Sequence, residues 1–191
     1  MCLCSLCAGT GKTCCQQNDI LLTQGDLTRI ARHIGTTAFH EYREPLDPFC
    51  LGDRADPNWL TYTLRLDGTR RVVRFKGRGD CFFLEGNGCA LPQDKRPLIC
   101  RLHPLLYSEA GVSGVSPDCP AEFLSGGETV LEAVGMDIAE GTRWHAQLYE
   151  ELRQEAWGAP HPGGRMMLQC PDGYSLAAEA GLPPDRSSLS R

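Results

Sequence analysis

The alternation of apolar and polar positions divides the chain into short segments with different periods. Thr23-Gln24-Gly25-Asp26 has the form of a capping box, in which Thr23 covers a free amide and Asp26 reaches back. Leu27, Ile30, Ala31 and Ile34 follow at helical spacing, and Gly35 can close the helix. Residues 59 to 75 read as a hairpin. Leu60, Tyr62, Leu64 and Leu66 alternate with Thr61, Thr63 and Arg65, Asp67-Gly68 supplies a two-residue turn, and Arg70 to Phe75 return. Arg70, Arg71 and Arg74 are expected on one exposed strand face, where an acidic partner can dock. Cys81-Phe82-Phe83-Leu84 is a further extended piece, and a fold-back through Glu85-Gly86-Asn87-Gly88 would bring Cys81 beside Cys89. Late in the chain Val130, Leu131, Val134 and Ile138 share one helical face, and Trp144, Leu148 and Leu152 share another. One helix interrupted near Gly141, or two in succession, fits both stripes. From Gly158 onward, 5 glycines and 5 prolines in 34 residues predict a poorly ordered tail. No internal repeat is visible.

These elements predict a small, loop-rich α+β domain over residues 1–157, with a motif-bearing part (1–120), a helical extension (128–157) and a tail (158–191). The 191 residues are enough to enclose one core. With 19 basic against 24 acidic residues the net charge is −5, so no nucleic-acid partner is expected. No stretch is long and apolar enough for a membrane span, so no membrane partner is expected either. The start lacks the basic and apolar regions of a secretion signal. A cytoplasmic home is therefore expected, and that changes the meaning of the 11 cysteines. Reduced thiols in such number are metal ligands, catalytic groups or inert core residues rather than disulfides.

Spacing separates those readings. Cys4-x2-Cys7 is the basic chelating unit, since two intervening residues let a tight turn aim both sulfurs at one ion. The vicinal pair Cys14-Cys15 suits a polynuclear centre or two adjacent centres, because neighbouring side chains on extended backbone point apart. Cys81, Cys89, Cys100 and Cys119 are widely spaced, unlike the second knuckle of a zinc finger. Dispersed thiolates with only 5 histidines in the chain suit an iron–sulfur cluster better than a single tetrahedral zinc. Residues 65 to 101 hold 9 basic and 4 acidic residues, a local excess that favours nearby thiolates. Gly9-Thr10-Gly11-Lys12-Thr13 imitates the end of a phosphate-binding loop, but that motif needs a glycine where the chain has Leu6.

The segments Cys4-x2-Cys7-x6-Cys14-Cys15, Gly79-Asp80-Cys81-Phe82-Phe83-Leu84, Gly88-Cys89 and Arg96-Pro97-Leu98-Ile99-Cys100-Arg101-Leu102-His103-Pro104 together resemble the YkgJ-like cysteine-cluster family. Members of that family are described as carrying a zinc- or iron-chelating domain. The resemblance spans roughly residues 1 to 120. It implies eight metal ligands: Cys4, Cys7, Cys14, Cys15, Cys81, Cys89, Cys100 and Cys119. The chain departs from the family pattern at Ala90-Leu91 and at His103, where an aromatic is common. The same motif is similar to that of flagellin lysine N-methylases, but this chain is much shorter and has no glycine-rich loop for S-adenosylmethionine.

The expectation is thus a metal-binding protein holding an iron–sulfur cluster, favoured, or zinc, with a redox, structural or assembly role and a protein partner in the last case. The alternatives are a small iron–sulfur-dependent oxidoreductase or protein-modifying enzyme, and a thiol-based metal-handling protein. His103 reads as a packed ring, a ligand or a donor to a thiolate. Arg96 and Arg101 read as donors to cluster sulfurs or to backbone carbonyls. Cys2, Cys50 and Cys170 are assigned to a free terminal thiol, the core and the tail. The sequence leaves oligomeric state and any catalytic residue open.

Overall fold

A computed structural model of the chain describes residues 3–9, 13–46, 56, 58–117, 119, 121–124 and 126–158. The chain begins with helix α1 (Leu3–Gly9), so Cys4-x2-Cys7 lies on a helical turn rather than on the expected tight loop. The capping box then forms as the sequence foretells. In α2 (Gln24–Ile34) the Thr23 hydroxyl oxygen accepts from the Asp26 amide at 2.9 Å, and the Asp26 carboxylate accepts from the Thr23 amide at 3.2 Å. Gly35 ends the helix at φ 76°, a left-handed conformation that costs glycine little.

The hairpin expected over 59–75 does not form. Trp59–Thr63 is a short helix, α3, and Arg70–Val73 (β2) pairs antiparallel with His40–Arg43 (β1), far upstream. Asp67-Gly68 does turn the chain, with Arg65 donating its amide to the Thr69 carbonyl at 2.8 Å. The alternation that suggested a strand also places Trp59 and Tyr62 three apart, on one side of a helical turn. Both rings pack towards the late helix, and Trp59 lies 6.3 Å from Tyr149, centroid to centroid.

The arginine run is not one exposed face either. Arg74 is exposed, but Arg70 is buried against Asp19, and Arg71 pairs with Glu155 at 2.6 Å. β2 is covered on both faces, with Arg70, Val72 and Val73 buried, and Arg70 shares its face with Val72. Asp19 also accepts from Arg43 at 2.6 Å and from the Leu46 amide at 2.9 Å. Burial alone would raise the Asp19 carboxyl, but the Leu46 amide, Arg70 and Arg43 outweigh it and hold it below the usual carboxylate value. A carboxylate lowered in the folded state stabilises above its ordinary pKa, and that stability is lost as pH falls through its folded value. Asp19→Asn should therefore cost about 1.5–3 kcal/mol at pH 7, the worth of hydrogen bonds to a charged group. Urea melts at pH 7 and pH 3 check this. The variant loses less on acidification than the parent, and an equal loss would remove Asp19 from the account.

Four further short strands make two turns of ribbon. Phe75–Lys76 (β3) pairs with Asp80–Cys81 (β4), and Leu84–Glu85 (β5) with Gly88–Cys89 (β6). The expected fold-back after Cys81 is present, with the Ala90 amide on the Phe83 carbonyl at 2.8 Å. Next come α4 (Leu98–Leu102) and a hairpin of β7 (Leu105–Ser108) with β8 (Gly111–Val115). The late helices are α5 (Val130–Val134) and α6 (Ile138–Gly158). The break between them falls at Gly135, φ 69°, not at Gly141. Gly141 lies inside α6, and glycine suits the position because a Cβ there would stand 2.5 Å from Leu105 Cδ1.

Two apolar clusters result. Leu98, Leu102, Leu105, Met136, Leu148, Tyr149 and Leu152 gather beneath α6 with Trp144, as the helical stripe predicts. Ile20, Leu22, Ile30, Phe39, Val73, Cys81, Phe83 and Leu91 form the other, and Ile99 packs on both. Short antiparallel pairs beside helices agree with the α+β expectation. No described helix is long and apolar enough to cross a membrane. Cys2, Cys50, Cys170 and residues 159–191 of the expected tail lie outside the described residues.

Candidate metal centre

A short loop and three later elements build one cavity. The loop after α1 is stitched to β4. The Cys81 amide donates to the Cys15 carbonyl at 2.7 Å, the Gln17 amide to the Gly79 carbonyl at 2.8 Å, and Gln16 Nε2 to Asp80 Oδ1 at 2.8 Å. Gly79, at φ 104°, comes close to Gln17 there, so glycine is favoured on two grounds. Thr13 shapes the loop's start, its hydroxyl accepting from the Cys15 amide at 3.1 Å. Cys89 sits on β6 and Cys100 on α4. The α4 amide end is held by Asp26, whose carboxylate accepts from the Leu98 amide at 3.1 Å.

The cavity has a volume of about 200 Å³ and is lined by Cys7, Cys14, Cys15, Cys81, Cys89, Cys100 and Cys119. The structure thus brings seven of the eight sequence-selected thiols to one place, none of them in a disulfide. Cys4 lies on α1, but its side chain is outside the described residues. The rest of the wall includes Leu3 and Ile99 beside the selected cysteines, Arg96 and His103, and also Val134 and Met136 from the late helical region, which the sequence did not connect to the site. Among the described residues, no three histidine, cysteine, aspartate or glutamate side chains converge closely enough to hold one ion.

The thiols differ in their surroundings. Hydrogen bonding with Cys14 lowers Cys15 to about 7; burial opposes this, while Thr13 and the charge of Arg96 assist. Burial pushes Cys81 up to about 12, although the Phe83 and Leu84 amides donate to its sulfur. Burial likewise raises Cys89 and carries Cys100 well above the ordinary thiol value. Charge on Cys15, Cys81 and Cys89 would each raise Cys100 further, so these four groups sense one another. Cys7 is raised first by burial and then by Cys15. Empty of positive charge, such a group resists multiple ionisation; a bound cation reverses that preference.

Both arginines, Arg96 and Arg101, line the cavity. Arg96 Nε donates to the Leu91 carbonyl at 3.1 Å, and the positive charge of Arg96 works against the rise that burial imposes on Cys89. Arg101 Nε donates to the Arg96 carbonyl at 2.8 Å, so both arginines use backbone carbonyls. His103 Nε2 lies 3.5 Å from the Cys119 sulfur, a contact that spacing alone could not show. Helix α1, not the strand that a phosphate-binding loop follows, precedes Thr10-Gly11-Lys12, which lie outside the described residues. No family model matches this chain, and neither a curated protein nor a solved structure matches it.

Proposed function

We propose that the chain is a metal-binding protein whose clustered cysteines hold an iron–sulfur cluster, or failing that zinc, in a redox, structural or assembly role. The observation that carries this is the lining of one cavity by seven candidate thiols. Their arrangement favours the polynuclear option. A structural zinc needs four donors about 2.0–2.3 Å from one point, whereas these thiols are spread around about 200 Å³. Cluster ligation by thiolates tolerates such a spread, because each sulfur meets a different iron. The donor set is soft and anionic, as iron–sulfur and zinc centres require. When bound, the metal would supply positive charge that lets several buried thiols ionise together, and a cluster would add reversible one-electron chemistry. The chain's own part is to hold the sulfurs around one cavity and to keep Arg96 on its wall. A reducing, cytoplasmic setting fits thiols of this number.

Purification without oxygen, followed by a visible spectrum and assay of iron, sulfide and zinc per chain, tests the reading. A brown protein with broad absorption near 400 nm and matched iron and sulfide is the expected result. A colourless protein carrying zinc would move the assignment to a structural or metal-handling centre. A fully reduced protein that carries no metal would overturn the reading.

A further inference from the structure

We infer that Arg96 and Arg101 make an anion site in the wall of the cavity. Its ligand is a small organic carboxylate, with the charged end on the two guanidiniums and the body against the apolar wall. The inference does not rest on the metal-centre reading, because it uses no thiol. Both arginines line the cavity. They are tied together, since Arg101 Nε donates to the Arg96 carbonyl at 2.8 Å. Arg101 is only 7% exposed, and its Nη2 is buried with no hydrogen-bond partner. A guanidinium keeps its charge at any ordinary pH, so burying one without a counter-charge is costly.

The chain's own carboxylates do not supply that counter-charge. Among the described residues neither arginine forms an ion pair, whereas Arg29, Arg43, Arg70 and Arg71 all do. Asp26 and Asp94 are near enough for their charge to act on Arg101, but both are engaged elsewhere. Asp26 accepts from Arg29 and from the Leu98 and Thr23 amides, and Asp94 pairs with Lys95 at 2.7 Å. Burial, and then the charge of Arg29, lower Arg101 in spite of them. The fork of a guanidinium matches a carboxylate, two donors to two oxygens. The rest of the wall decides what that carboxylate is attached to. Leu3, Phe83, Ile99, Val134 and Met136 line it, so a strongly hydrated ion would lose water to groups that cannot replace it. A cavity of about 150 Å³ holds benzene, so about 200 Å³ leaves room for one ring and one carboxylate.

Benzoate is the probe, titrated calorimetrically at fixed ionic strength into the full chain purified without oxygen, with metal assayed in the same sample. One benzoate per chain is the expected result. Benzamide has the same shape without the charge, and inorganic phosphate has charge without an apolar body; both should bind more weakly. Arg96→Gln and Arg101→Gln should each weaken benzoate by at least about tenfold, the worth of a hydrogen bond to a charged group. Because Arg101 is buried, its variant is read only where far-ultraviolet dichroism shows it folded, and the benzamide comparison needs no variant. No saturation up to about 10 mM benzoate overturns the site. Equal affinity for benzamide overturns its anion end, and equal affinity for phosphate overturns its apolar end. A folded Arg96→Gln protein with parental affinity overturns the pairing of the two arginines. Benzoate bound by metal-free protein supports this inference while overturning the metal-centre reading, and metal-loaded protein that binds none does the reverse.

Discussion

If the proposed centre is filled, stripping its metal with a strong chelator under reducing conditions should unfold the domain at room temperature. Structural zinc in small domains contributes about 10–16 kcal/mol of apparent binding free energy at pH 7, and the whole stability of a domain is only about 5–15 kcal/mol. The anatomy here makes the dependence strong. The strands that carry Cys81 and Cys89 are two residues long each, and α4, which carries Cys100, has five. Elements that short do not persist alone. Without a cation, moreover, several thiols in one cluster resist ionising together, so the apo state keeps buried neutral sulfurs with no metal–sulfur bond between the segments, only the hydrogen bonds of the loop after α1 and of Asp26. Loss of near-ultraviolet dichroism and rapid proteolysis on chelation, both reversed by metal, is the expected outcome. A melting temperature that moves by less than 2 °C would show that the centre is a passenger on a fold that stands without it.

Asp26→Ala should lower the unfolding free energy by about 3–5 kcal/mol, the range for removing one partner of a buried ion pair. Asp26 is 1% exposed and ties two elements together through three partners. It accepts from the Thr23 amide in its own helix cap, from the Leu98 amide at the start of α4, and from Arg29 at 2.6 Å. Arg29 and the Thr23 hydroxyl reach on to Glu151 of α6, and Gly25 leaves the room that the Glu151 carboxylate fills. Burial raises the Asp26 carboxyl despite Arg29 beside it, so ionising it is costly and part of the loss is offset. The stranded Leu98 and Thr23 amides are not offset, and each costs about 1–3 kcal/mol when left without a partner. Chemical denaturation of the metal-loaded protein measures the change. A loss under 1 kcal/mol would mean that solvent reaches these amides and that Asp26 is an ordinary cap.

The capping box at Thr23 and Asp26 was legible because every group in it lies within four residues. So was the stripe of Trp144, Leu148 and Leu152, whose period belongs to the helix itself. What escaped depends on distant partners. The strand at Arg70 pairs with residues some thirty positions upstream, so nothing near Leu60 could show that the intended partner strand was a helix. Gly141 reads as a helix stop, yet its role is to admit Leu105, and only the packing of β7 against α6 reveals that. At the site, spacing named the thiols and left their grouping open. Which cysteines share a cluster with Phe83, and that Arg96 lines their cavity, depends on how the loop after α1 meets β4.

The five residues of α4 stand in both halves of the domain. Leu98 and Leu102 belong to the apolar cluster under α6, Cys100 packs with the other cluster, and Ile99 touches both. A helix this short cannot bend to satisfy one side and ignore the other. The two halves are therefore expected to melt as a single cooperative unit, with one transition by every probe. Damage at either one is felt at the other in full, and truncating Leu148 should be less harmful in protein whose metal is already gone than in protein that still holds it.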